Sequence, residues 1–235
     1  MQRSRSWTVI LVTALCFGAQ GQSPSGPASP PGKEAQATET KGMPPRATPG
    51  DYQAQAAAGA VTVAAEFMGH VILTPEGTTY STEDYVAVET ALFGPAGTRL
   101  KISSDDFSLR VLSKKMKPVP SEPFGAVFKS LKDPEWEDTI AIEAKKAKED
   151  GGGGTSIKTG GKSQESTPYV APKMPIPMRR AMEQHVEKCV LPEGDRALPQ
   201  AGLVFFPYRG KAESIHAIEL IYNGPAGKAT LKLQP

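Results

Sequence analysis

Disulfides are the first thing this chain does without. It has 2 cysteines, and Cys16 lies in an apolar stretch expected to be removed, so Cys189 has no partner within the mature chain and burial must hold the fold. Cys189 reads as a small buried apolar residue, with an intermolecular disulfide or a reactive thiol as the alternative. Charge of one sign is missing too: 27 Lys and Arg stand against 25 Asp and Glu, a net +2. A near-neutral chain has no concentrated basic surface for phosphates, which excludes nucleic acid as the expected partner. Beyond residue 17 no apolar run is long enough for a bilayer, so no transmembrane helix is expected in the mature chain. Histidine is scarce, with 3 in all, which leaves few general bases and few metal ligands.

What is present begins with an export signal. Arg3 and Arg5 form a basic start, Trp7 to Phe17 is a short apolar run, and Ala19 and Gly21 are the small residues a signal peptidase inspects. Cleavage is expected after Gly21, giving a signal peptide over 1–21 and an exported, periplasmic or secreted protein. Leu15 stands where a lipid-anchored cysteine needs a small neighbour, which argues against a lipoprotein anchored through Cys16. Residues 22–52 are rich in Pro, Ser and Ala, and up to residue 50 contain no aromatic. Such a segment cannot bury enough surface to offset its ordering entropy and is expected to be a disordered tether. Residues 150–177 read as a second disordered region, opening with Gly151 to Gly154 and ending in "PYVAPKMPIP". The expected domain is 53–235, interrupted by that linker and its two flanking helices.

Period-two patterning dominates the remainder. In "AVTVAAEF" Val61, Val63, Ala65 and Phe67 fall on one side, with Thr62 and Glu66 on the other; in "FSLRV" Phe107, Leu109 and Val111 oppose Ser108 and Arg110. With "HVILT", "DYVAVETALF", "RLKIS", "LVFFPY", "IHAIELIY" and "KATLKL", this predicts seven or eight antiparallel strands in a sandwich or barrel. Two stretches have helical spacing. Asp133 is a cap and Pro134 a first-turn residue of a helix over 133–149, with acids early and lysines late. Over 178–190, Met178, Met182, His185 and Cys189 share an arc, with Arg179, Glu183 and Glu187 opposite, predicting a helix lying on the sheet edge or across one end of the sandwich.

The tetrapeptide GPAG occurs twice, at 94–97 and 224–227. A phosphate loop needs Gly, four residues, then Gly-Lys-Ser/Thr opening a helix, and neither copy fits; both read as hairpin tips, with Pro presetting one angle and Gly97 or Gly227 free to take a positive one. His185 and Cys189 are four apart on one helix face, a spacing that suits two metal ligands, but no third ligand is identifiable and the helix-face reading is preferred. His70 and His216 have no motif context. Ser104 to Asp106 is a polar turn without the alternating oxygens of a calcium loop, and paired acids such as Glu83 with Asp84 carry no separation that spacing can fix. No nucleophile elbow occurs. The expectation is therefore no catalytic, cofactor-binding or metal residue. Met178, Met182, Phe206 and Tyr208 are the candidate partner surface, an apolar patch if they are exposed.

"DYVAVETALFGPAGTRLKISSDDFSLRVLSKKMKPVP" resembles the central part of a bacterial immunoglobulin-like domain of unknown function related to the secreted mycobacterial immunoprotective antigen; the "D-F-x-L" strand is matched by Asp106, Phe107 and Leu109. "LPQAGLVFFPYRGKAESIHAIELIYNGPAGKATLKL" is similar to that group's closing strands, and the chain also resembles uncharacterised acidobacterial exported proteins. "LSKKMKP" replaces the usual acidic Gly-containing turn, and the helix-linker-helix insertion departs from the pattern. The resemblance implies a mainly β, immunoglobulin-like antiparallel sandwich and carries no catalytic residues. The function expected is a non-catalytic module that binds a partner protein or envelope component. The alternative is a periplasmic metal- or ligand-binding protein or hydrolase with an unidentified site.

Overall fold

The computed structural model describes residues 41–112, 117–152 and 171–234. The expected signal peptide, most of the tether and most of the Gly-rich linker lie outside the described residues. In chain order the strands are β1 (Ala54–Ala58), β2 (Val61–Gly69), β3 (Val71–Leu73), β4 (Thr79–Thr82), β5 (Tyr85–Phe93), β6 (Arg99–Ile102), β7 (Phe107–Val111), β8 (Val119–Pro120) and β9 (Leu131–Lys132), then β10 (Gly194–Ala197), β11 (Gln200–Pro207), β12 (Ile218–Gly224) and β13 (Gly227–Leu233). Helices α1 (Phe124–Val127), α2 (Pro134–Gly152) and α3 (Ile176–Cys189) fall between β8 and β10.

Two four-stranded antiparallel sheets carry the fold, one in the order β1-β2-β5-β11 and the other β13-β12-β7-β8. Their facing sides share one core: Val61, Val63 and Ala65 of β2, Val86, Val88 and Leu92 of β5, and Val204 and Phe206 of β11 meet Phe107, Leu109, Leu220, Tyr222 and Leu231. The alternation read in "FSLRV" appears as burial, with Phe107, Leu109 and Val111 at 1%, 1% and 4% exposure; in "AVTVAAEF" Val61, Val63 and Ala65 are buried as read, but Ala64 on the other side is buried as well. The chain is mainly β and antiparallel, as a sandwich requires.

The strand count is larger than expected, because short strands pair outside the two main sheets: β10 with β6, and β3-β4-β9 as a three-stranded sheet. One GPAG copy behaves as expected. Gly224 pairs with Gly227 across a two-residue loop of Pro225 and Ala226, and Gly227 takes φ 131. The other is no hairpin tip: Gly97 has φ 79 and Thr98 N donates to Pro95 O at 3.0 Å, but the turn carries the chain from β5 to β6, which are not partners. The same four residues reverse the chain in both places, and the strands that follow differ in what they bond.

The first sheet is covered on its outer face as well. On β5 the odd positions Ala87, Glu89 and Ala91 point away from the shared core and are as buried as the even ones, at 1%, 4% and 0% exposure. Over Ala87, Leu203 and Phe205 lie Met182, Val186 and Cys189 of α3, together with Val127, Ile72, Tyr80 and Leu131. Helix α3 therefore packs on a sheet face, not on an edge or an end as its amphipathic arc suggested. It begins at Ile176, two residues earlier than expected, with Pro177 in its first turn. Helix α2 starts as its cap predicts, Asp133 Oδ1 accepting from Glu135 N at 3.0 Å and Trp136 N at 3.4 Å, and runs to Gly152.

The remainder of that face is covered by the segment expected to be the end of a disordered tether. From Lys41 onward the chain is placed: Met43 bridges Ala201, Tyr52 is 6% exposed, and Tyr52, Ala64, Ala91 and Ala201 form a small cluster. Arg46 holds the segment down. Its guanidinium reaches Glu89 at 2.7 Å and Glu66 at 2.5 Å, donates to Asp51 O at 2.7 Å, and stands 4.5 Å from the centre of the Tyr52 ring. Thr48 and Asp51 close a capping box around the turn Pro49–Asp51. Composition alone misses this because the apolar and charged partners are supplied by the sheet, and Pro44, Pro45 and Pro49 lower the entropy lost on ordering.

Candidate functional site

The free edge of β11 is where the covering elements meet. An unpaired edge strand presents a row of main-chain groups that invites pairing with another chain. Here alternate residues are each taken by a different segment: Met43 N donates to Ala201 O at 2.9 Å, Leu191 N to Leu203 O at 3.0 Å, and Glu122 N to Phe205 O at 2.9 Å. Gly202 makes this approach feasible, since a Cβ there would lie 2.4 Å from the Leu191 Cα and N.

The three segments do not meet completely, and between them lies a cleft of about 510 Å³. Its apolar side is formed by the half-buried Phe124 and Val190 over the buried Leu203 and Phe205, and Leu191 and Val204, whose side chains belong to the core between the sheets, also line it. The Phe124 and Phe205 rings are 6.3 Å apart and tilted by 39°. Glu122, Glu183, Glu187 and Glu193 face it from the rim, with Lys41 and Arg196 the basic residues among the lining. Lys41 Nζ lies 2.7 Å from Glu187 Oε1 with both side chains substantially exposed, a contact that water and salt weaken. Glu193 is anchored on the floor side, accepting from Ser104 N at 3.1 Å and Ser104 Oγ at 2.5 Å, while Arg196 Nε donates to its carbonyl at 3.0 Å. No hydrogen bond or ion pair joins Glu122 or Glu183 through its carboxylate to a described residue.

The residues singled out from the sequence lie elsewhere. His185 is turned to Tyr80, its Nδ1 2.9 Å from the phenol oxygen, and the Cys189 thiol donates to the His185 carbonyl at 3.3 Å. Burial pushes the Cys189 thiol up to about 11. Among the described residues no three His, Cys, Asp or Glu side chains converge as a metal centre would need. The apolar partner surface does not form: Phe206 and Tyr208 are 0% and 7% exposed inside the sandwich, Met182 is 3% exposed beneath α3, and Met178 alone of the four is open. They are buried because "LVFFPY" belongs to a strand covered on both faces. Elsewhere, His70 Nε2 pairs with Gly210 O at 2.7 Å and His216 is exposed.

The cleft residues were invisible as a group, since they come from residue 41, the turn at 104, the stretch 122–125, α3 and β11. One signal was present: Glu183 and Glu187 are four apart on α3, and the face that reads as solvated lines the cleft. Chemically the site pairs an aromatic floor with a carboxylate rim. Its one side-chain hydroxyl, Ser104, donates to Glu193, and no histidine lines it. No family model, curated protein or solved structure matches the chain.

Proposed function

We propose that this chain is an exported, non-catalytic binding module, built on an immunoglobulin-like sandwich and working in the periplasm, at the envelope or outside the cell. The observation that carries the reading is the cleft beside β11, whose volume of about 510 Å³ falls in the range of ligand pockets, ~300–1,000 Å³. Its apolar floor and few placed polar groups fit recognition. Its one side-chain hydroxyl, Ser104, has only the Glu193 carboxylate beside it, a weak base for a hydroxyl, and no histidine lines the cleft to complete a nucleophilic constellation. Strand addition at β11 is closed off by the three segments bonded to its edge, which leaves the cleft as the docking route there. The basic, then apolar, then small-residue start of the sequence supports export. Two facing four-stranded antiparallel sheets support a sandwich, and the resemblance carried by the strand-rich stretches supports the immunoglobulin-like assignment.

The test is a photo-activated cross-linking residue placed at Gly125, which lines the cleft and has no atom within 4 Å of a Cβ built there. The same residue at Lys228, exposed on β13 of the far sheet, serves as the control. In the native host, a discrete adduct in the extracytoplasmic fraction from position 125 and none from 228 is expected. Equal labelling from both positions, or none from 125, contradicts the proposal.

A further inference from the structure

We infer that the cleft recognises a cationic peptide segment, with a Lys or Arg side chain received by Glu183 and Glu187 and an adjacent bulky apolar side chain seated on the half-buried ring of Phe124; this rests on the binding-module reading above. Charge complementarity selects the occupant. Four carboxylates face two cationic side chains across the lining, so an anionic ligand is repelled at the rim and a cation is attracted. The chain itself displays the contact: Lys41 places its ammonium 2.7 Å from Glu187, with Glu183 one helical turn away and without a partner among the described residues. A second cation arriving along the cleft meets that open carboxylate.

The floor selects the other half. Leu203 and Phe205 are both 1% exposed, so the ring surface available comes chiefly from the half-buried Phe124, enough for one apolar side chain. Residues 22–40, which lead into Lys41, contain no Val, Leu, Ile, Met or aromatic. That segment has nothing to place on the floor, which argues against the stretch leading into Lys41 as the occupant.

Calorimetric titration of the full chain tests this with three blocked peptides, GKFKG, GEFEG and GKAKG. One site for GKFKG is expected, with each of the other two bound about tenfold more weakly, because two exposed charge pairs at up to about fivefold each separate the first two peptides. The double variant Glu183→Gln with Glu187→Gln, both surface positions on α3, is expected to weaken GKFKG about tenfold and to flatten its salt dependence. Equal or tighter binding of GEFEG, unchanged binding by the double variant, or no heat from any peptide overturns the inference. GKFKG binding that appears only after residues 22–40 are removed assigns the cleft to this chain's own segment and also overturns it. If these fail while the cross-link at position 125 persists, the occupant's chemistry is wrong and the docking cleft stands; loss of the cross-link as well removes both.

Discussion

Cys189 ends α3 with 1% of its surface exposed and its thiol bonded to the His185 carbonyl. A buried thiol resists ionisation, and here the folded value rises from 9.0 to about 11. The sign follows directly: the folded state favours the neutral thiol, so this contribution to stability is whole below pH 9.0 and is lost as pH rises toward about 11. Iodoacetamide at pH 8 is therefore expected to leave Cys189 unmodified in the folded protein and to alkylate it in urea, read by mass spectrometry; rapid labelling without denaturant contradicts the burial. Thr90 presents the opposite case. It is 0% exposed on the core side of β5, and its hydroxyl is without a hydrogen-bond partner among the described residues. Replacing a lone buried hydroxyl by a methyl of similar shape removes an unsatisfied group, so Thr90→Val is expected to raise unfolding stability by about 1 kcal/mol in urea titration. A loss of stability would show that the hydroxyl is bonded in solution.

At the scale of elements, the segment from Lys41 to Tyr52 depends on Arg46. Glu89 beneath it is 6% exposed as a side chain, so removing the guanidinium leaves a carboxylate buried without its cation. Arg46→Met is expected to cost about 2–3 kcal/mol, less than the ~3–5 of a wholly buried pair because a third of the Arg46 side chain faces water. The urea midpoint reads this directly, and Glu89→Gln in the same background should restore part of the loss. Strand β7 was legible in the sequence because one face meets the core and the other does not, so its apolar residues alternate; β2 was legible from Val61, Val63 and Ala65, while Ala64 on its other face is buried under Tyr52. Strands β5 and β11 were legible as strands but not as doubly covered ones; the apolar run Ala201 to Pro207 of β11 carried that information, whereas Glu89 and Thr90 interrupt the run in β5. The segment 41–52 was not legible, because its anchors are Glu89 and Ala201, far along the chain, and no local pattern announces them. For α3 the buried arc was readable and the surface that receives it was not: Ala87, Leu203 and Phe205 become a helix seat only when β5 and β11 pair in the register that sets Ala87 beside Phe205.

Across the whole molecule, elements distant in sequence close the outer face of one sheet, and the gap they leave is the proposed site. The cleft could not be read from motifs, since it exists only where the segment at Lys41, the stretch 122–125 and the end of α3 converge on the edge of β11. Its acidic rim also contrasts with a chain whose net charge is only +2; global charge says little about a local field. The same closure removes β11 as an exposed edge, which helps keep such a sheet from pairing with other copies.

Hydrogen–deuterium exchange of the full chain, resolved by peptide, tests this arrangement most directly. The peptide spanning 41–52 is expected to be protected together with 200–207 and 182–191, and Arg46→Met to release the first of these selectively. Exchange of 41–52 at the rate of a free peptide, with 200–207 still protected, would contradict it.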